Sequence, residues 1–160
     1  MTVKMNTPPD AAYPHWDTIT TRWMDNDMHG HVNNVQYYSF FDTAVTTWLV
    51  TEGGLDPRDG QMIGLCVESQ CTFAAPLSFP DKVLAGLRVG HVGRSSVRYE
   101  IVLYAAGSGR PAASGHFVHV YVDRASRRPT AIPHSLLGAL SALVTVPVDG
   151  AAGSGLDRAG

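Results

Sequence analysis

Between residues 35 and 52 the apolar positions recur at helical spacing. Tyr37, Phe41, Ala44 and Trp48 make one stripe, and Tyr38, Phe40, Val45 and Leu49 widen it until little polar face remains. Such a pattern predicts a helix with neighbours on nearly every side, roughly 27 Å long at 1.5 Å per residue. Asn33 and Asn34 offer N-cap chemistry, Gln36 stands three residues after Asn33 as in a capping box, and Gly53-Gly54 stops the run.

The period then changes to two. Ile63, Leu65, Val67, Cys71 and Phe73 share one parity, and Pro76 and Pro80 end that strand. Val83, Ala85, Leu87 and Val89 alternate with Lys82, Gly86, Arg88 and Gly90. Val97, Tyr99, Ile101, Leu103 and Ala105 do the same with Ser96, Arg98, Glu100 and Tyr104. The two runs predict a hairpin. Keeping both apolar sets on one face requires an odd loop, most simply Gly93-Arg94-Ser95, which sets Arg88 opposite Glu100. After a turn at Gly107–Gly109, the run from Ala112 to Val122 carries Val118, Val120 and Val122 on one face. Pro133–Leu143 reads as a short amphipathic helix. One strand, a long buried helix and four more strands predict an α+β domain, an antiparallel sheet wrapped around a helix.

Composition narrows the setting. The 160 residues are 44% hydrophobic and 16% charged, enough for one domain with a substantial core. We expect that domain over residues 15–146, between a flexible start (1–14) and a flexible Gly/Ala-rich tail (147–160). A net charge of −2 argues against nucleic acid as partner and confines any polyanionic ligand to a local Arg/Lys cluster. No apolar run is long enough to span a bilayer and no signal-peptide pattern appears, so a cytoplasmic protein with no membrane partner is expected. Cys66 and Cys71 match no zinc spacing and read as reduced, buried thiols.

The chemically dense stretch is Arg22 to Tyr37, with Asp25, Asp27, His29, Gly30, His31, Asn33 and Asn34 packed into the approach to the helix. By itself Asp27 reads as a turn carboxylate capping nearby amides. Asp25 reads as structural. His29 and His31 lack a fixed third metal ligand, and the stretch from Asp25 fails as a calcium loop because its twelfth position is Gln36, so no metal is expected.

This stretch resembles the signature of hotdog-fold thioesterases of the 4-hydroxybenzoyl-CoA thioesterase and acyl-CoA thioester hydrolase group, with Asp27, Gly30, Asn34 and Tyr37 on the signature positions. The string His31-Val-Asn-Asn34 is similar also to acyl-ACP thioesterases, although His29 stands where those enzymes have Asn. The likeness continues through Phe73–Leu77, Gly93–Ser96 and Arg128–Pro133. It implies a hotdog fold of about five strands around the helix, acting on acyl-CoA or acyl carrier protein esters as a homodimer or homotetramer. Coenzyme A enters as part of the substrate, and no further cofactor is implied.

In chemical terms a thioester needs a polarised carbonyl and a delivered water, because its thiolate leaves unaided at a pKa of roughly 8.5. Asn34 at the helix start suits the first task. Asp27 suits the second, as general base or nucleophile. The resemblance implies a secondary catalytic place for His31 and nucleotide contact for Gly93, Arg94, Ser95 and Ser96, and Tyr37, with Tyr38, Phe41 and Trp48, could line an acyl pocket although most of these belong to the core. Arg127 and Arg128 could add charge nearby. Asp42, on the helix, ranks below Asp27. The competing readings are a non-catalytic acyl-thioester binding module and a hotdog hydratase or dehydratase.

Overall fold

The computed structural model describes residues 7–145. Its elements run β1 (His15–Thr20), a 3-10 turn (Trp23–Asp25), α1 (Asn34–Thr51), β2 (Met62–Phe73), β3 (Lys82–Val92), β4 (Ser96–Ala105), β5 (Ala113–Asp123) and α2 (His134–Ser141). The five strands form one antiparallel sheet in the order β1-β3-β4-β5-β2. Helix α1 lies across one face, against a core of Phe41, Val45, Leu49, Leu87, Tyr99, Ile101 and Leu103. This is the hotdog arrangement. Fully burying side chains of this size contributes roughly 1.5–3 kcal/mol each, which is why the apolar parities decide the register.

The hairpin alternation predicted for β3 and β4 is the one observed, with Val83, Ala85, Leu87 and Val89 buried beside Val97, Tyr99, Ile101 and Leu103. Arg88 faces Glu100 and their side chains pair at 3.5 Å. The loop is not the simple odd one, however. A bulge between Val89 and His91 pairs Val92 with Val97 and leaves four residues at the tip. Gly90 permits it, because a Cβ there would collide with the Glu100 carboxylate.

Four further expectations change. Helix α1 is not apolar nearly all round: Ser39, Asp42, Thr43, Thr46 and Thr47 recur every three or four residues and form an exposed polar stripe. Strand β2 does not keep one parity. A bulge at Val67 reverses it, so Ile63 and Leu65 oppose Val122 and Val120 on the outer face while Cys71 and Phe73 turn toward the helix. Cys66 is exposed and Cys71 half-buried, because β2 is the sheet's edge. Both thiols are free.

Finally, the segment through residue 14 is not loose where it is described. Tyr13 is buried, its carbonyl accepts from the Trp16 indole at 2.8 Å, and Arg88 lies 4.4 Å above its ring. These residues join Val102 and Tyr104 in a small second core on the outer face. The Gly/Ala-rich tail expected from residue 147 lies outside the described residues.

Candidate active site

The stretch from Arg22 to Asn34 folds as a clamp followed by a tight loop. Asp25 is the clamp: its carboxylate accepts from the Arg22 backbone N–H and twice from the Arg22 guanidinium, at 2.7–3.1 Å, and it is only 1% exposed. Its carbonyl takes the Asn33 N–H. The structural reading of Asp25 stands, because the enclosed carboxylate already takes three donors from Arg22 and is shut off from water.

Asp27 sits differently. It opens a loop closed by an Asn26–Val32 bridge and by bonds from Asp27 N–H to His31 and from Gly30 N–H to Asp27. Gly30 adopts φ +82°, a conformation that side chains disfavour. The Gly30 carbonyl accepts from the Ser78 hydroxyl and the Val32 N–H donates to Leu77, so the loop is fastened to the β2–β3 connection. The Asp27 carboxylate is half-buried. One oxygen accepts the His29 N–H at 2.8 Å and the other the Asn33 side-chain amide at 3.2 Å. With one donor on each oxygen, it keeps lone pairs free for a water.

Asn33 links this carboxylate to the helix. While its amide nitrogen donates to Asp27, its oxygen caps α1 by accepting from Val35 N–H at 3.0 Å. The cap therefore reaches the second helical residue, and not Gln36 as the capping-box spacing suggests. Asn34 is the first residue of α1, where a backbone N–H has no acceptor within the helix. No acidic residue in the first turn offsets the positive end of the helix dipole.

A cleft of about 330 Å³ opens at this point, walled by His31, Val32, Asn34, Tyr37, Phe73 and Pro76. Tyr37 is nearly enclosed. Its hydroxyl accepts the Leu77 N–H at 3.2 Å, its ring meets Phe73 edge-on at 4.9 Å, and burial raises its phenol pKa. It supports the wall and presents little polar surface to the cleft. Both His29 and His31 are exposed.

The cleft thus brings His31, Asn34 and Tyr37 together; Asp27 is outside its wall and is joined to the helix start through Asn33. It does not bring Gly93, Arg94, Ser95 and Ser96 to them. Ser96 is opposite Val120 of β5, while the cleft's Phe73 is opposite Ala113. Seven residues of strand separate those positions, roughly 23 Å at 3.3 Å per residue. The Ile132 N–H donates to the Arg94 carbonyl, and Pro129 bridges Val122, so the segment carrying Arg127 and Arg128 gathers at that same far end.

A second cavity, of about 320 Å³, lies between the middle of α1 and the first half of β2, with Asp42 and His119 in its wall. Sequence reading passed over His119. The signal was present: it alternates with Phe117 and Tyr121, an imidazole among aromatic rings on the parity that faces the helix. Among the described residues, no group of three or more His, Cys, Asp or Glu side chains could hold a metal ion.

The chain belongs to the thioesterase-like superfamily, whose sequence profile matches residues 21–140. Among solved structures it is similar to the PA5185 protein of Pseudomonas aeruginosa strain PAO1, at 54% identity and TM-score 0.81, covering 84% of this chain and 94% of that one. It is similar to the BH1999 gentisyl-coenzyme A thioesterase, at 29% identity and TM-score 0.70, covering 79% and 99%. It is also similar to a thioesterase from Thermus thermophilus in complex with coenzyme A and zinc, at 26% identity and TM-score 0.69, covering 84% and 96%. No curated protein sequence matches it.

Proposed function

We propose that the protein hydrolyses acyl thioesters of coenzyme A or of an acyl carrier protein, with Asp27 as the reacting carboxylate. One observation carries this reading: a half-buried carboxylate with spare acceptor capacity is tied through Asn33 to the open N-terminus of α1, beside a cleft. In the reaction the ester oxygen lies against the Asn34 N–H, where the helix end stabilises the charge that develops as the carbonyl is attacked. As general base, Asp27 takes a proton from water while the new C–O bond forms. The C–S bond then breaks, and the thiolate departs without a proton donor. As nucleophile, Asp27 first forms a mixed anhydride that water opens. Single turnover in ¹⁸O-water separates direct attack, which puts the label in the product acid, from opening of the anhydride at the Asp27 carbonyl, which puts it in the Asp27 carboxylate.

The coenzyme A ester reading draws support from the similar gentisyl-coenzyme A thioesterase and from the coenzyme A complex. We further propose that two chains pair through β2. That strand is 12 residues long, ends the sheet, and exposes Leu65 and Val67, an edge that proteins seldom leave uncovered. Two-fold pairing would run the strands antiparallel and bring the Gly93–Ser96 end of one sheet beside the Asp27 end of the other. The two halves of the predicted site, far apart in one chain, would then meet. His31 borders the cleft and would orient water or substrate.

The test is release of free thiol from a panel of acyl-CoA esters by wild type and Asp27→Asn. The substitution keeps the His29 bond within reach and should lower kcat by a factor of roughly 10²–10⁴. Undiminished hydrolysis by the variant would move the chemistry to another residue. Binding without hydrolysis of any ester would identify a thioester-binding module.

A further inference from the structure

Ser, Thr, Asp and Asn all cap helices well, so capping alone leaves the choice of residue at position 33 open. Asn33 does more than cap. Its Oδ1 accepts from the Val35 N–H at 3.0 Å while its Nδ2 donates to Asp27 Oδ2 at 3.2 Å. Aspartate could make the first bond but has no proton for the second. A serine or threonine hydroxyl can accept and donate, but from one atom that lies a bond nearer the backbone. Asparagine spreads the acceptor and the donor over one planar group. The partners also fix which end is which: turned over, the amide would set its oxygen against the Asp27 carboxylate and its NH₂ against the Val35 N–H.

The carboxylate needs such a tether. Asp27 opens a loop whose next four residues, Met28 to His31, are all exposed. The bond from His29 N–H to the other carboxylate oxygen comes from that same loop and moves with it. Among the described residues, Asn33 is the one group outside the loop whose hydrogen bond reaches the carboxylate. Its own backbone is fixed from both sides: the Asn33 N–H donates to the Asp25 carbonyl at 2.8 Å and its carbonyl accepts from the Gln36 N–H at 2.9 Å. The side chain is therefore a bracket between a carboxylate on a loop and the first turn of α1.

We propose that Asn33 is a positioning residue for the hydrolysis, holding the Asp27 carboxylate in a fixed place relative to the open N-terminus of α1. The group that drives the attack and the N–H groups that receive the developing oxyanion then stay in register, where a displacement of about 1 Å can cost roughly 10²-fold in rate. Asn33 is not part of the cleft wall, so it acts through Asp27 and not on the substrate. The inference rests on the reading of Asp27 as the reacting carboxylate.

Steady-state kinetics of Asn33→Asp and Asn33→Ser on the acyl-CoA esters that wild type turns over test it. Both replacements keep a good cap, so the melting temperature should stay close to that of wild type. Aspartate sets a second carboxylate against Asp27 and should lower kcat about 100-fold; serine, whose hydroxyl falls short, should lower it about tenfold. KM should stay within about twofold in both, because the cleft wall is untouched. A protonated carboxyl can donate again, so the deficit of Asn33→Asp relative to wild type should shrink by about threefold or more as pH falls from about 8 to about 5. The other ionisable groups around Asp27 are common to both proteins and cancel in that ratio. They are His29 and His31 on its loop, Asp25 paired with Arg22 before it, and Asp81 in the β2–β3 connection.

Wild-type kcat in both folded variants would mean that Asn33 only caps the helix, and would overturn the inference. So would a loss of kcat that follows a lowered melting temperature, an Asn33→Asp deficit independent of pH, or failure of both variants to fold. If one alone fails to fold, kcat and KM of the other decide. A wild type inactive on every ester would remove the hydrolase reading and this inference with it, whereas an active wild type with unimpaired variants would remove this inference alone.

Discussion

Asp25 and Asp27 are two residues apart and have opposite surroundings. The first is enclosed and takes three Arg22 donors; the second is half-buried, with one donor on each oxygen. A carboxylate enclosed with three donors has no access to water and holds structure. One with capacity left, beside an open helix end, can take a proton from water. Accessibility and the count of donors separate the two roles, while residue type does not.

Substitutions at the two positions give the sharpest break. Asp27→Asn should lose activity by roughly 10²–10⁴ in kcat, with a melting temperature close to that of wild type. Asp25→Ala should do the reverse, costing about 2–4 kcal/mol of stability as the Arg22 and turn bonds are lost, measured by urea denaturation. The folded fraction of Asp25→Ala should keep its kcat. Equal loss of kcat in both folded variants would erase the distinction.

Next in size is the pairing of chains. Leu65→Asp and Val67→Arg place charge on the exposed edge of β2 and should shift the sedimentation profile toward the single chain. Activity should fall with dilution if Gly93–Ser96 of a second chain completes the site. A fully active single chain would show that the Asp27 end works alone.

A smaller effect concerns pH. The folded pKa of His119 lies below its unfolded value of about 6.5, through burial. Its contribution to stability is therefore complete above pH 6.5 and is lost as pH falls from there toward the folded pKa. The denaturation midpoint should decline over that window in wild type, and part of the decline should vanish in His119→Phe. Cys66 on β2, Asp42 on α1, Tyr99 on β4 and Tyr121 on β5 are the other ionisable groups around the ring, and of these Asp42 works against the shift. The smallest change is expected for Arg94→Ala: a few-fold rise in KM for coenzyme A esters, diminishing at high salt, as for a rim charge.

Much of the fold was legible because local patterns and global packing agree. The period-3.6 run gave α1 and its stop at Gly53, and the period-2 runs gave the β3–β4 register down to Arg88 opposite Glu100. The departures came from bulges. Gly90 and Val67 each add one residue to a strand, and a bulge has no periodic signature until the partner strand is in place. The candidate site divides in the same way. Its Asp27–Asn34 part is local in sequence and stood out through turn and cap chemistry, and His119 stayed hidden among alternating valines and aromatics.

The chain's order of residues was sufficient to specify which segments are helix and strand, and to put Asp27 a few residues ahead of a capped helix, because those outcomes depend on neighbours within one turn or one alternation. Only tertiary structure decided that Gly93–Ser96 lies at the far end of the sheet from Asp27 and that a histidine is shut in behind Gly64. Those facts follow from which strands lie side by side and how much room their side chains leave, and contacts between residues dozens of positions apart set both.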